Sequence, residues 1–449
     1  MKDLSKIGIK NRMKEMVIYR GMRKDDIFKK FEKVMTAWED SDDKCFSPER
    51  KEELLELLFD GVHGLIEEGQ RRSFQGNLWH AHLTYLMAND ENAFSRFCEK
   101  KGSLEGSINS LVLHDLSIIK GLFHYDFKGM EDSFGVSFLS LIESFEPASA
   151  KGIVFNKLLR DRMNELSAKL FEAEEEEKML SFLADFYKDY GVGNFGLHKS
   201  FRIKHEEEKA NIVPITNSEN IRLTDLIGYE KQKQQLIDNT EAFIRGEKAN
   251  NVLLFGESGT GKSSSVKAIL NEYYKDGLRM IEIFKHQFGD LTSVIEQIKD
   301  RNYKFIIYMD DLSFEETELE YKYLKAVIEG GLEKRPDNVL IYATSNRRHI
   351  VKERWDERKQ NADDVHGNDS KQEKLSLYAR FGVTIYYGSP MQKDYLRIVD
   401  GIADRMGLAI EKEKLHQEAI RWELAHGGFS GRVAEQCVTH LLALQNMNK

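Results

Sequence analysis

The stretch Gly256-Glu257-Ser258-Gly259-Thr260-Gly261-Lys262-Ser263 decides the fold of the region around it. It matches every fixed position of the pattern G-x-x-x-x-G-K-[ST], in which glycines let backbone N–H groups and a helix N-terminus surround a phosphate. Residues 251–255, which are apolar after Asn251, predict a buried strand before this loop, and residues 263–274 predict a helix after it. This order predicts a nucleoside triphosphate site; the alternative is a Gly/Ser turn that matches by chance.

The residues of this loop have separate expected roles. Lys262 would reach the β- and γ-phosphates, and the Ser263 hydroxyl would ligate Mg²⁺. Nucleotide contacts are also expected from the rest of the loop and the residue after it, namely Gly256, Glu257, Ser258, Gly259, Thr260, Gly261 and Ser264.

Length and composition limit the class of protein. A chain of 449 residues predicts two or three domains. A formal net charge of −9 argues against a protein that coats nucleic acid constitutively. The three cysteines, Cys45, Cys98 and Cys437, form no C-x-x-C pair, which fits a reduced compartment and gives no zinc site. There is no apolar leader and no apolar run long enough to span a bilayer. We therefore expect a soluble cytoplasmic protein without membrane insertion.

The spacing of apolar residues divides the chain. Residues 1–205 predict a mainly α-helical N-terminal domain of unknown role, and the charged stretch that begins near His205 predicts a linker over 206–220. Helices and strands then alternate over 221–388, which predicts an α/β core with a parallel sheet. Residues 389–449 predict a small helical bundle. Strands are expected at 252–255, 280–284, 305–309, 339–343 and 383–387.

Two acids follow the apolar strand at 305–309. A Walker B element has this arrangement, because the strand is buried and the first acid emerges at its carboxyl end beside the metal. Asp310 would hold Mg²⁺, and Asp311 would polarise the attacking water.

Three further polar residues are candidates for catalysis. Asn346 follows the strand at 339–343 and is placed to orient the water or contact the γ-phosphate, although an Asn that caps a turn is the alternative. Arg380 precedes the last strand, and Arg432 lies in the first turn of the last helix. Single arginines are more often surface residues.

In this order these elements resemble the AAA+ ATPases. The resemblance implies ATP as the nucleotide, the strand order 5-1-4-3-2 and a helical lid after the core. It also implies that Asn346 is sensor 1, Arg380 the arginine finger of a neighbouring subunit's site, and Arg432 the sensor 2 arginine. Ile227 and Gly228 would contact adenine. Most members carry Glu where this chain has Asp311, which leaves the rate of hydrolysis open.

A more specific resemblance is to the bacterial AAA+ family of unknown function numbered 815, over residues 221–444. The matching segments are 226–230, 250–254, 310–315, 336–349 and 430–432. That family has no established physiological role, so the resemblance implies ATP chemistry but does not identify the partner on which the protein acts.

Two hypotheses of function remain open. The leading one is an oligomeric ATPase that self-associates through its core and remodels or moves a protein client. The second is a slowly hydrolysing, nucleotide-switched scaffold or loader that acts on nucleic acid or a protein complex. Such a partner would bind at Arg347, Arg348, His349 and the polar loop 352–374; the alternative is that this loop is simply solvated. A metabolite kinase is disfavoured because sensor and lid elements would have no role in it.

Overall fold

The structure, a computed structural model, describes residues 12–41, 46–102, 106–148, 157–206, 209–314, 320–329, 336–346 and 380–447. The chain divides into two compact units, Met1–Leu197 and His198–Lys449. Helices and strands are numbered below in chain order.

The first unit is helical over its described residues, as predicted. Phe31, Trp79 and Phe127 pack at its centre, with ring centroids 4.7 to 6.1 Å apart. Its helices are α1 Asp26–Asp40, α2 Pro48–Arg72, α3 Leu78–Asn89, α4 Ala93–Lys101, α5 Ser107–Phe123, α6 Phe127–Phe134, α7 Leu139–Glu143, α8 Lys157–Glu172, α9 Glu176–Tyr190 and α10 Gly193–Leu197.

One capping side chain and one buried carboxylate stabilise the N-terminal part of this unit. Asp25 accepts the Phe28 N–H at 2.8 Å, which caps α1. Asp115 on α5 is fully buried, and its carboxylate accepts the backbone N–H groups of residues 17–19. These bonds tie the N-terminal segment to α5, because a buried carboxylate is stable only when it is hydrogen-bonded.

The second unit contains a seven-stranded sheet. Its strands are β1 Ser200–Glu206, β2 Lys209–Pro214, β3 Val252–Gly256, β4 Leu278–Glu282, β5 Lys304–Met309, β6 Val339–Ser345 and β7 Val383–Tyr387. They lie in the order β2-β1-β4-β5-β6-β3-β7, and every neighbouring pair is parallel except β1 and β2. Every residue of β3 and β6 is buried, as expected of central strands in a parallel sheet covered on both faces.

This sheet both matches and corrects the sequence predictions. The five predicted strands are present as β3 to β7, and they follow the order 5-1-4-3-2. The prediction of a five-stranded sheet was incomplete, because β1 and β2 extend it beyond β4. They occupy residues that we expected to be the end of the helical domain and a linker over 206–220. Buried Phe201 and Ile203 alternate with exposed Arg202 and Lys204 in β1, a weak pattern in a strongly charged segment.

Helices cover the sheet and follow it. The α/β part contains α11 Glu230–Ile244, α12 Lys262–Tyr273, α13 Leu291–Ile298 and α14 Glu320–Glu329, with short 3₁₀ helices at Leu223–Asp225, Tyr274–Asp276 and Lys285–Asp290. The chain ends in α15 Gln392–Met406, α16 Lys412–His426 and α17 Gly431–Met447. These last three helices share a separate apolar core around Tyr395, Val399, Ala419 and Cys437.

Candidate functional site

The loop between β3 and α12 requires its glycines. Gly256, Gly259 and Gly261 all have positive φ, at 132°, 73° and 90°. A Cβ on Gly256 would lie 2.0 Å from the backbone oxygen of Tyr387 on the neighbouring strand β7. Other side chains at these positions would therefore be strained, and at Gly256 would also collide with backbone. The glycines shape a loop whose backbone can approach a ligand closely.

Lys262, the first residue of α12, is buried inside this loop. Its Nζ donates to the carbonyl oxygens of Gly256 at 2.9 Å and Glu257 at 2.6 Å, and to Asn346 Oδ1 at 3.0 Å. Burial lowers the pKa of Lys262 from its ordinary value, although nearby Asp311 and Glu257 act in the opposite direction. The ammonium group is thus oriented by neutral oxygens at the floor of the loop.

One carboxylate oxygen of Asp310 accepts hydrogen bonds from three hydroxyl groups. Ser263 Oγ and the Tyr308 hydroxyl each donate to Oδ1 at 2.7 Å, and Thr344 Oγ1 donates to the same atom. Partial removal from water raises the pKa of Asp310, but these hydrogen bonds together hold it below its ordinary value. A carboxylate beside a serine hydroxyl is a set of hard oxygen donors, which fits Mg²⁺.

Asp311 has a different setting. Its φ is 50°, a left-handed conformation that Asp adopts more readily than most residues. Its backbone N–H donates to Thr344 Oγ1 at 2.9 Å, and its Oδ1 accepts Asn346 Nδ2 at 2.8 Å. Lys262, Asn346 and Asp311 therefore form one hydrogen-bonded chain across the carboxyl ends of β5 and β6.

These groups open into a cavity of about 580 Å³. One end is polar, with the loop residues 258–265, Asp310, Asp311 and Asn346. The other end is more apolar, with Ile227 and Gly228 facing Ile398 and Ile402 of α15. Such a cavity, with groups suited to binding phosphate at one end and apolar side chains at the other, has the character of a nucleotide site.

At the apolar end of the cavity, the residues just before α11 are hydrogen-bonded to neighbouring helices. Arg405 of α15 donates to the carbonyl oxygen of Asp225 at 3.1 Å, and Lys233 donates to that of Leu226 at 2.6 Å. Ile227 packs so closely on α15 that a Cβ on Gly401 would meet it at 2.1 Å. The C-terminal helices and the α/β part therefore share the walls of this cavity.

The two candidate arginines lie in different places. Arg432 lines the cavity, its backbone N–H donates to Gly259 O at 3.2 Å, and its guanidinium lies 3.5 Å from Ser258 Oγ. Arg380 is exposed and is not among the residues that line the cavity. Arg380 precedes β7, whose first residue pairs with Val252, whereas the loop begins where Gly256 pairs with the last residue of β7, Tyr387.

Sequence reasoning missed several residues of this site. Tyr308 and Thr344 lie inside apolar strands and gave no signal of their own, yet both contact Asp310. Arg405 and Glu435 also line the cavity from α15 and α17. The partner-binding residues predicted at Arg347, Arg348, His349 and 352–374 lie outside the described residues.

Most of the second unit matches a known protein family. The family described as "Protein of unknown function (DUF815)" matches residues 197–445. The chain belongs to this family. Together with the order of the core strands, the match confirms the resemblance to the AAA+ family of unknown function predicted from the sequence. The match begins at 197, close to the boundary between the two units and ahead of the expected linker.

Other similarities are partial. Replication factor C large subunit from Methanococcus vannielii is 43% identical over 73 residues, 16% of this chain and 15% of that protein. The protein of the same name from Methanococcus maripaludis is 38% identical over 73 residues, again 16% and 15%. The solved structure of Thermotoga maritima RuvB, described as a Holliday junction branch migration motor, is 17% identical, with a TM-score of 0.33. That alignment covers 49% of this chain and 63% of RuvB, so in each case less than two thirds of the relative is spanned.

Two features are absent from the described residues. No helix in these parts of the chain combines the length and apolarity needed to cross a bilayer. The same residues contain no group of three or more His, Cys, Asp or Glu side chains arranged to hold a metal.

Proposed function

We propose that this protein binds ATP with Mg²⁺ and hydrolyses it to remodel or move a partner macromolecule. The observation that carries the proposal is Lys262, a buried ammonium held by three neutral oxygens inside a loop of positive-φ glycines. Among the described residues no carboxylate bonds to this buried cation, which suits a polyanionic ligand, because phosphate oxygens would supply the missing negative charge. Family membership supports the same chemistry.

The cavity residues divide the work of binding. The N–H groups of the loop and of α12 would surround the phosphates, with Lys262 at the β- and γ-phosphates. Ile227 and Gly228 would contact adenine against Ile398 and Ile402. Arg432 of α17 would contact the phosphates, so that the C-terminal helices act as a lid over the nucleotide.

Hydrolysis would rest on the two acids in separate roles. Asp310 and Ser263 would hold Mg²⁺, which when bound neutralises charge on the β- and γ-phosphates. Asp311 would accept a proton from the attacking water while Asn346 fixes the direction of its carboxylate. Aspartate reaches less far than glutamate, so we expect slow turnover by an isolated subunit.

Arg380 would act between subunits. Arg380 is exposed and is not among the residues that line the cavity of its own subunit, so its charge would stabilise the transition state in the cavity of a neighbouring subunit. The proposal therefore includes self-association through the ATPase core. The client would be a protein in the leading form of the proposal.

A second candidate function is a nucleotide-switched loader on nucleic acid. The 73-residue similarity to Replication factor C large subunit favours it, because that name denotes a replication protein. The two candidates differ in the partner rather than in the cavity.

Calorimetric titration with ATP tests nucleotide binding. Lys262→Ala should abolish binding, because the loop would lose its only side-chain cation while the fold is retained. Lys275→Ala is the matched control, since it removes the same charge from an exposed position just beyond α12. Equal ATP affinity in wild type and Lys262→Ala would refute the assignment of this loop.

Capture from the native cell tests the client. Asp311→Asn should bind ATP and retain its partners, while Lys262→Ala should release them. Recovery of proteins by the first variant alone supports the remodelling candidate, and nuclease-sensitive recovery of nucleic acid supports the loader.

A further inference from the structure

One buried threonine contacts both acids of the cavity. Thr344, the sixth residue of β6, is 2% exposed. Its hydroxyl donates to Asp310 Oδ1 and accepts the backbone N–H of Asp311 at 2.9 Å. A backbone N–H can only donate and an ionised carboxylate can only accept, so the Thr344 oxygen accepts from Asp311 and its proton points to Asp310. Both bonds therefore have a fixed direction.

The backbone around Asp311 explains why this hydroxyl is needed. The paired residues of β5 and β6 end at Met309 and Ala343, and Leu312 N–H then donates to Thr344 O at 2.7 Å. Between these bonds the chain passes through the left-handed conformation of Asp311. The Asp311 N–H has left the strand pairing, and the Thr344 side chain replaces the lost acceptor.

We propose that Thr344 is a positioning residue that holds the two acids in different orientations, Asp310 toward Ser263 and Asp311 toward Asn346. The proposal rests on the proposed ATPase function, in which the acids have separate roles. Tyr308 also donates to Asp310, but it has no bond to Asp311 among the described contacts. Thr344 is thus the side chain that links the two.

The geometry separates this role from simple packing. Valine has the shape of threonine and preserves the buried contacts, but it can neither donate nor accept. Serine keeps the hydroxyl and loses the methyl group. Ser345 is a matched control on the same strand, because it is fully buried and its hydroxyl donates to Leu312 O at 2.8 Å.

Steady-state ATP hydrolysis by these variants is the first test. Thr344→Val should lower kcat by roughly 10- to 100-fold, because Asp311 acts in the transition state, while KM for ATP rises less than in Asp310→Ala, because Ser263 and Tyr308 still bond Asp310. Thr344→Ser and Ser345→Ala should keep kcat within about threefold of wild type. The proposal is overturned if Thr344→Val retains wild-type kcat, or if Thr344→Ser is as impaired as Thr344→Val.

A second readout needs no nucleotide. Melting temperatures are measured for wild type, Thr344→Val, Asp310→Ala and the double variant. A direct contact should make the double variant melt at least about 2 °C above the value expected from adding the two single losses. Additive losses would show that Thr344 and Asp310 are independent and would sink the proposal.

The two tests distinguish this inference from the proposed function. If the wild type binds ATP but does not hydrolyse it, the ATPase function has failed, and the melting experiment alone decides whether Thr344 positions Asp310. If hydrolysis is normal and only the Thr344 variants behave unexpectedly, the positioning role alone is wrong.

Discussion

Replacement of Gly256 by alanine is a direct physical test of the loop. The new Cβ would lie 2.0 Å from the Tyr387 backbone oxygen, so the paired strands must separate locally by ~1 Å or more. Tyr387 O also accepts the Glu257 N–H at 3.1 Å, a bond that this movement would break. The backbone alone fixes the position of the Cβ, and the Tyr387 oxygen is itself a backbone atom, so no rotamer change can relieve the collision.

The cost has three parts. A non-glycine residue in this region of φ costs about 1–3 kcal/mol. Overpacking adds about 1–3 kcal/mol, and the lost hydrogen bond about 1 kcal/mol. We expect Gly256→Ala to destabilise the second unit by about 5 kcal/mol. In a unit of this size that lowers the melting temperature by roughly 10–20 °C.

Differential scanning calorimetry of the full chain measures this shift, and titration with ATP measures the loss of binding. Gly289→Ala is the control, because a Cβ there has no atom within 4 Å and its φ is ordinary. That variant should melt within about 2 °C of wild type. A Gly256→Ala protein that melts and binds ATP like wild type would refute the reasoning from backbone contact.

Three further outcomes are expected. Asp310→Ala should weaken Mg²⁺-dependent ATP binding, whereas Asp311→Asn should bind ATP and lose turnover; equal loss of ATP affinity in both would contradict their separate roles. Arg380→Ala should hydrolyse ATP poorly, and mixing it with Lys262→Ala should restore some activity; co-assembly without recovery would exclude action between subunits. Burial raises the pKa of Asp90 to about 6. The folded helical unit therefore binds this proton more tightly than the unfolded chain, and its stability falls as pH rises from about 4 to 6. Asp90→Asn should stabilise that unit by about 1–2 kcal/mol at pH 7 but not at pH 4, as thermal melts at the two pH values will show.

The central strands and the loop could be predicted from sequence for a physical reason. Strands buried on both faces, such as β3 and β6, are continuous apolar runs, and each ends at the edge of the sheet where polar residues emerge. Lys262, Asp310 and Asn346 therefore could be expected to meet, and the structure places them together. The roles assigned to them stay predictions.

The remaining features depend on contacts that no local pattern records. Thr344 meets Asp310 because of the register of β6 against β5, which a sequence does not display. The strand β1 escaped prediction because one of its faces is charged and its partner β4 is distant in sequence. The role of Arg380 as an arginine finger came from the resemblance alone. Arg380 does not line the cavity of its own subunit, and its action between subunits stays a prediction.

The position of β1 has a practical consequence for anyone who wishes to study the ATPase part in isolation. A chain shortened to begin at 221, where the motif-bearing region starts, would lack the strand that pairs with Met280, Ile281 and Glu282. The edge of β4 would then present unpaired backbone groups beside newly uncovered apolar surface, a combination that promotes strand-to-strand aggregation. The shortest soluble fragment should start at 198, so insolubility of a 221-start protein would report a severed sheet rather than dependence on the helical domain.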